Sequence, residues 1–85
     1  MPAFMLMTPR IKKQSLQAFY HPDYQAPSTE ELRELMKDCA WTGAKVGALV
    51  GVDSRTVRRW TGGERPIPYS AWRLLLLYAG VVKVE

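Results

Sequence analysis

Residues 42–60 carry the sequence TGAKVGALVGVDSRTVRRW, and this stretch decides the fold. Apolar residues recur at helical spacing on both sides of Gly51, which predicts two short helices joined by a turn. Gly51 can adopt the positive φ that such a turn needs, and Gly47 is small enough for two helices to cross closely there. Thr42 and Asp53 precede the two helices and have side-chain oxygens that can cap them.

The second of these helices has two chemically different faces. At 100° per residue, Val57 and Trp60 share one face, so we assign Trp60 to the core rather than to a base-stacking surface. The opposite face carries Arg55, Arg58 and Arg59. A glycine turn between two short helices, with a basic outer face on the second, is typical of a helix-turn-helix.

Capping and breaking residues place the other helices. Ser28 and Glu31 have the spacing of a capping box, and Gly62 with Gly63 can end the helix that carries the arginines. Gly80 follows an apolar run that forms a last helix. The predicted helices cover residues 29–39, 43–50, 54–60 and 69–79.

Residues 1–27 contain four prolines, which disfavour long regular structure. We expect an N-terminal arm with at most a short helix around residues 12–20, held down by side chains of the set Leu16, Phe19, Tyr20 and Tyr24. Residues 28–85 then form the helix-turn-helix domain with its C-terminal helix. The expected fold is all-α, a compact bundle of four to five helices around a central helix-turn-helix.

The distribution of charge indicates a nucleic-acid partner. The chain has 85 residues, enough for one compact domain, and a formal net charge of +4. Residues 1–38 are neutral overall, whereas residues 39–73 hold six basic and two acidic side chains. The excess of positive charge therefore lies in the helix-turn-helix region, as expected of a nucleic-acid binder.

Other classes of protein fit the sequence poorly. No nucleophile, base and orienting group occur together at recognisable spacing, so we do not expect an enzyme. His21 has no histidine or cysteine at ligand spacing, and we expect neither a metal nor a cofactor. The longest apolar run, residues 74–79, is too short for a bilayer, and residues 1–7 lack a basic leader. We expect a soluble cytoplasmic protein with no membrane partner.

Residues 46–68 resemble the Cro and lambda-repressor (XRE-type) helix-turn-helix family. Residues 24–80 also resemble small phage and mobile-element regulators, including the anti-CRISPR-associated repressors. The resemblance implies a homodimeric repressor of a partly palindromic operator, often its own promoter. Two positions depart from the family pattern, because Gly43 replaces a phosphate-contacting glutamine and Thr61 replaces a frequent glutamate. The hallmarks are Gly51-Val52, Val57, Arg59-Trp60, Gly63-Glu64-Arg65 and Pro68.

Each candidate residue has an expected role. In the helix-turn-helix geometry Arg55 lies over base edges and Arg58 lies nearer the phosphates, and the resemblance adds Ser54 and Arg59 as base-reading residues. Further candidate phosphate contacts are Thr42, Lys45, Thr56 and Arg65. Arg10, Lys12 and Lys13 form either a DNA-contacting arm or a disordered basic tail. The last helix is apolar on too many sides for one buried face. Its candidate dimer residues are Leu74, Leu77, Tyr78, Val81 and Val82, and its core residues are Trp72, Leu75 and Leu76.

The leading function is a sequence-specific regulator of transcription that binds double-stranded DNA as a dimeric autorepressor of a phage or mobile-element operon. An excisionase or transposition accessory factor is a second DNA-binding alternative. A third is an antitoxin-like module that binds a partner protein with its N-terminal arm and represses its own gene by binding DNA. A neighbouring integrase gene favours the second, and a neighbouring toxin gene favours the third.

Overall fold

The computed structural model describes residues 11–82, and within them the chain is all-helical, as predicted. The four α-helices are α1 (Thr29–Asp38), α2 (Gly43–Val50), α3 (Ser54–Thr61) and α4 (Tyr69–Ala79), preceded by a 3-10 turn at Lys13–Leu16. The helix expected around residues 12–20 is shorter than predicted, because Gln17 is already extended. Residues 1–10, which include Arg10, and residues 83–85 lie outside the described part of the chain.

Three helices begin at a side-chain cap. The Ser28 hydroxyl accepts the amide of Glu31 at 3.1 Å, and Oε1 of Glu31 accepts the amide of Ser28 at 2.8 Å. This is the predicted capping box of α1. Thr42 and Asp53 cap α2 and α3 through the amides three residues on, also as predicted.

All four helices end in the same backbone motif. Within two residues of each helix end one residue has a positive φ, and the amide of the residue that follows it bonds back to a carbonyl five residues earlier. Trp41, for example, donates to the Met36 carbonyl at 2.8 Å, and Val81 donates to the Leu76 carbonyl at 3.0 Å. The residues with positive φ are Ala40, Gly51, Gly63 and Gly80.

The core lies where the four helices meet. Trp72, Leu75 and Leu76 of α4 are fully buried, as the sequence predicted. Helix α2 packs against α3 and α4, while α1 packs against α3. The other core side chains are Ile11, Leu32, Leu35, Val46, Val57, Trp60, Ile67, Ala71 and Ala79.

The described part of the arm, residues 11–27, is bonded to α4. The indole Nε1 of Trp72 donates to the Ser15 carbonyl at 2.8 Å, and Arg73 donates to the Leu16 carbonyl at 2.9 Å. The rings of Phe19, Tyr24 and Tyr69 pack together with centroids 5.2–5.7 Å apart. Residues 11–27 therefore cover one side of α4. Within residues 11–82 no helix is long and apolar enough to cross a membrane.

Candidate nucleic-acid interface

The turn between α2 and α3 depends on two glycines. Gly51 has φ +82°, the left-handed conformation that the sequence predicted for it. A Cβ on Gly47 would lie 2.5 Å from the Val52 carbonyl oxygen, closer than atoms can approach. The Val52 amide also donates to the Gly47 carbonyl at 2.9 Å. The backbone of residues 51–53 is thus held directly against α2, which fixes where α3 begins.

Helix α3 separates an apolar face from a basic face. Val57 is fully buried and Trp60 is 5% exposed, so both belong to the core as predicted. Arg55, Arg58 and Arg59 are exposed on the other side of the helix. Because the buried pair fixes the rotation of α3 about its axis, the three guanidinium groups are presented to solvent along one face.

Asp53 is exposed at the tip of α3, directly before the basic face. Its Oδ1 accepts the amide of Thr56 at 2.8 Å. Hydrogen bonds from the Thr56 amide and side chain lower the pKa of Asp53, and the positive charges of Arg55 and Arg59 lower it further. The carboxylate that caps the N-terminal end of α3 therefore interacts electrostatically with Arg55 and Arg59.

The other candidate phosphate contacts lie on α2, on α3 and in the loop that follows α3. Thr42 and Lys45 are exposed at the start of α2, and the Thr42 hydroxyl accepts the Lys45 amide at 3.1 Å. Thr56 is half-buried beneath the Asp53 cap. Arg65 is exposed in the loop after α3, where its amide donates to the Arg59 carbonyl at 3.2 Å. This bond holds the loop beside the C-terminal end of α3.

Two relatives match the chain over 58 residues. Both are the transcriptional repressor protein KorC of Escherichia coli, at 47% and 40% identity over 58 residues. Each match covers 65% of this chain and 68% of the relative. The chain belongs to the KorC family of transcriptional repressors. That family is named for a regulatory role rather than an enzymatic one. No protein-family model and no solved structure matches the chain.

The arm of this KorC-family chain contains two of the three predicted basic contacts. The Lys12 ammonium lies 2.6 Å from Oε1 of Glu31 and 2.9 Å from the Ala26 carbonyl oxygen, so much of its charge is compensated within the protein. Lys13 is exposed. Lys12 and Lys13 are part of the packed segment rather than of a disordered tail.

The KorC-family chain also contains one positioning contact that sequence reasoning missed. Nη1 of Arg33 on α1 donates to the Thr61 carbonyl at the C-terminal end of α3, at 2.9 Å. A guanidinium group at this position satisfies a terminal carbonyl and opposes the negative end of the helix dipole. No local pattern predicts this bond, since the two residues are 28 positions apart.

The candidate dimer residues form a stripe on α4 and just beyond it. Leu74 is 39% exposed and Tyr78 is 58% exposed. Leu77, Val81 and Val82 are half-buried. Leu74, Leu77 and Tyr78 are spaced at intervals of three and four residues and lie along one side of α4. Val81 and Val82 follow the helix and are partly packed against the core.

Proposed function

We propose that this chain is a sequence-specific double-stranded DNA-binding repressor, and that α2 and α3 are a helix-turn-helix of the Cro and lambda-repressor type. The observation that carries the proposal is the division of α3, with Val57 and Trp60 buried and three arginines exposed on the opposite side. Membership in a family of transcriptional repressors agrees with it. A basic helix face of this size fits the major groove of B-form DNA.

The residues on α3 then take different roles. Ser54 and Arg55 lie in the first turn, the part of a recognition helix that reaches base edges. Arg55 and Arg59 pair bidentately with O6 and N7 of guanine, the commonest specific contact of arginine. Arg58 lies nearer the groove rim and binds phosphate. The other proposed phosphate contacts are Thr42, Lys45, Thr56 and Arg65, with Arg10 and Lys13 as arm contacts. The ammonium of Lys12 is paired with Glu31 instead.

We further propose that the repressor is a homodimer. One helix of eight residues covers too few base pairs to select a site, whereas two copies can read half-sites about 34 Å apart. The apolar stripe formed by Leu74, Leu77, Tyr78, Val81 and Val82 supplies the contact. The operator is then partly palindromic. We propose that the operator lies in the promoter of the protein's own operon, in line with the resemblance to phage and mobile-element regulators.

Binding to single-base variants of a selected duplex tests this function. The wild-type protein first selects its preferred duplex from a random pool. Arg55→Ala and Arg59→Ala should each cost about 1–3 kcal/mol and relax the preference at one base pair per half-site. Arg58→Ala should weaken all duplexes alike. Lys37→Ala, which removes an exposed positive charge from α1, is the control. Uniform weakening by both Arg55→Ala and Arg59→Ala would contradict base reading by this face.

A second candidate function is binding of a partner protein through the arm. Phe19 is 65% exposed and Tyr20 is 84% exposed, and exposed aromatic side chains of this kind are common anchors of protein interfaces. Such a partner fits the antitoxin-like alternative, in which DNA binding serves autoregulation. Co-purification of a neighbouring gene product with the wild-type protein, but not with Phe19→Ser/Tyr20→Ser, tests it.

A further inference from the structure

Asp53 is an acidic residue at the tip of an otherwise basic helix. Residues 39–73 contain only two acidic side chains, and this one is fixed in place. Its carboxylate is held by the Thr56 amide at 2.8 Å, and its carbonyl carbon lies 3.4 Å from the position that a Cβ on Gly47 would occupy. A capping role alone does not require the charge, since serine and asparagine cap helices about as well as aspartate.

We propose that Asp53 is a specificity-determining residue, whose negative charge opposes binding to DNA of arbitrary sequence and favours base edges that carry an amino group. The inference rests on the proposed function, because it needs α3 to enter the major groove. It assigns Asp53 a role that is separate from its cap of the helix.

The charge of Asp53 acts first on contacts with phosphate. Binding to arbitrary DNA comes from contacts between cationic side chains and phosphates, which are blind to sequence. Asp53 repels phosphate and offsets the charges of Arg55 and Arg59, which are close enough to it to lower its pKa, after the larger effect of its hydrogen bonds with Thr56. The carboxylate therefore weakens the complexes that depend on phosphate contacts alone.

The carboxylate of Asp53 also acts on the base edges in the major groove. A carboxylate can accept more hydrogen bonds than the cap uses. In the major groove the amino groups of cytosine N4 and adenine N6 are donors, whereas guanine O6 and thymine O4 are acceptors that a carboxylate repels. The repulsion that Asp53 introduces is thus compensated only where the sequence offers an amino group at the matching position. Specificity of this kind combines a favourable contact with one base and repulsion from the other bases.

Asp53→Asn separates the charge from the cap. Affinities are measured for the duplex that the wild-type protein selects, for its single-base variants, and for a scrambled duplex of equal length and composition. We expect Asp53→Asn to bind the scrambled duplex more tightly and to lower the ratio of the two affinities about tenfold. We also expect it to relax one base preference, at a pair where the wild type selects cytosine or adenine. Asp23→Asn, which removes an exposed charge from the arm, should change neither the ratio of the two affinities nor any base preference.

Asp53→Ser, a second uncharged capping residue, should behave like Asp53→Asn, and thermal melting of all variants checks the fold. The proposal is overturned if the affinity ratio of both Asp53 variants equals that of the wild type, or if both retain every base preference. Failure of the proposed function gives a different result, in which the wild-type protein itself selects no duplex.

Discussion

The Lys12 ammonium lies 2.6 Å from Oε1 of Glu31, the carboxylate that also closes the capping box of α1. Oε2 of the same carboxylate accepts the Lys12 amide. The Glu31 side chain is 11% exposed, so these bonds are largely shielded from water. One side chain therefore joins the N-terminal arm to the first helix.

Glu31→Ala should lower the free energy of unfolding by about 2 kcal/mol, since it removes charge-assisted hydrogen bonds and half of a capping box. Glu30→Ala is the matched control, because Glu30 lies in the same first turn and is exposed. It should cost at most about 0.5 kcal/mol through the helix dipole. Urea denaturation of the three proteins provides the comparison. Equal losses in the two variants would show that the arm contact does not contribute.

Stability should also depend on pH through Glu31. Burial alone would raise the pKa of Glu31, but hydrogen bonds from Lys12 and Ser28 together lower it below its ordinary value of 4.5. Because the pKa of Glu31 is lowered in the folded state, ionised Glu31 stabilises the protein fully above the unfolded-state pKa. That stabilisation is lost as the pH falls through the folded-state pKa. The wild type should lose stability more steeply than Glu31→Gln between about pH 5 and pH 3. Parallel profiles from urea denaturation at each pH would contradict the assignment.

Gly47→Ala should disrupt the helix-turn-helix, whereas Gly43→Ala in the same helix should not. The new Cβ at position 47 would meet the Val52 carbonyl oxygen at 2.5 Å, but at position 43 it meets Val57 Cγ1 at an ordinary 3.8 Å. We expect Gly47→Ala to cost about 2 kcal/mol of stability. Gly43→Ala should be neutral or stabilising by up to about 0.5 kcal/mol. Thermal melting followed by circular dichroism distinguishes them, and equal melting temperatures would contradict the close crossing.

Ala40→Gly should stabilise the protein. Ala40 has φ +56°, a left-handed conformation that costs an alanine about 1 kcal/mol. Glycine avoids that cost but makes the unfolded chain more flexible, so we expect a net gain of about 0.5 kcal/mol. The reverse change at the matching position after α2, Gly51→Ala, should destabilise by about 1 kcal/mol. A loss of stability in Ala40→Gly would mean that Ala40 makes contacts that outweigh its backbone strain.

Leu74→Lys and Tyr78→Lys should each weaken self-association by at least about tenfold, because a charge would be placed in an apolar contact. Gln25→Lys at an exposed position of the arm adds the same charge elsewhere and is the control. Sedimentation equilibrium at micromolar concentration, with and without the selected duplex, measures the effect. A wild-type protein that is monomeric under both conditions would contradict the proposed dimer.

Features that depend on neighbouring residues in the sequence were mostly predicted. Caps and glycines gave the bounds of α2 and α4 and the buried face of α3, because each depends on residues within one or two turns of each other. The turn at Ala40 was missed, since alanine rarely adopts a positive φ and gives no signal for it.

Contacts between distant charged residues were also missed. Lys12 was assigned to a DNA-contacting arm or a tail, but its partner Glu31 lies 19 residues away. The bond from Arg33 to the Thr61 carbonyl joins residues 28 positions apart, and no sequence pattern indicates it. Periodicity specifies which face of a helix is apolar, but it does not specify which exposed charges meet once the helices pack.

The bond from the Trp72 indole to the Ser15 carbonyl has a consequence for how the chain is made. It joins residues 57 positions apart, one in the first described turn and the other in the last helix. A ribosome synthesises residues 11–17 well before α4, the element on which Ser15 and Leu16 are anchored. Helices α1 to α3 can begin to associate while the chain is still growing. The segment made earliest among these elements therefore cannot complete its contacts until translation has passed residue 73.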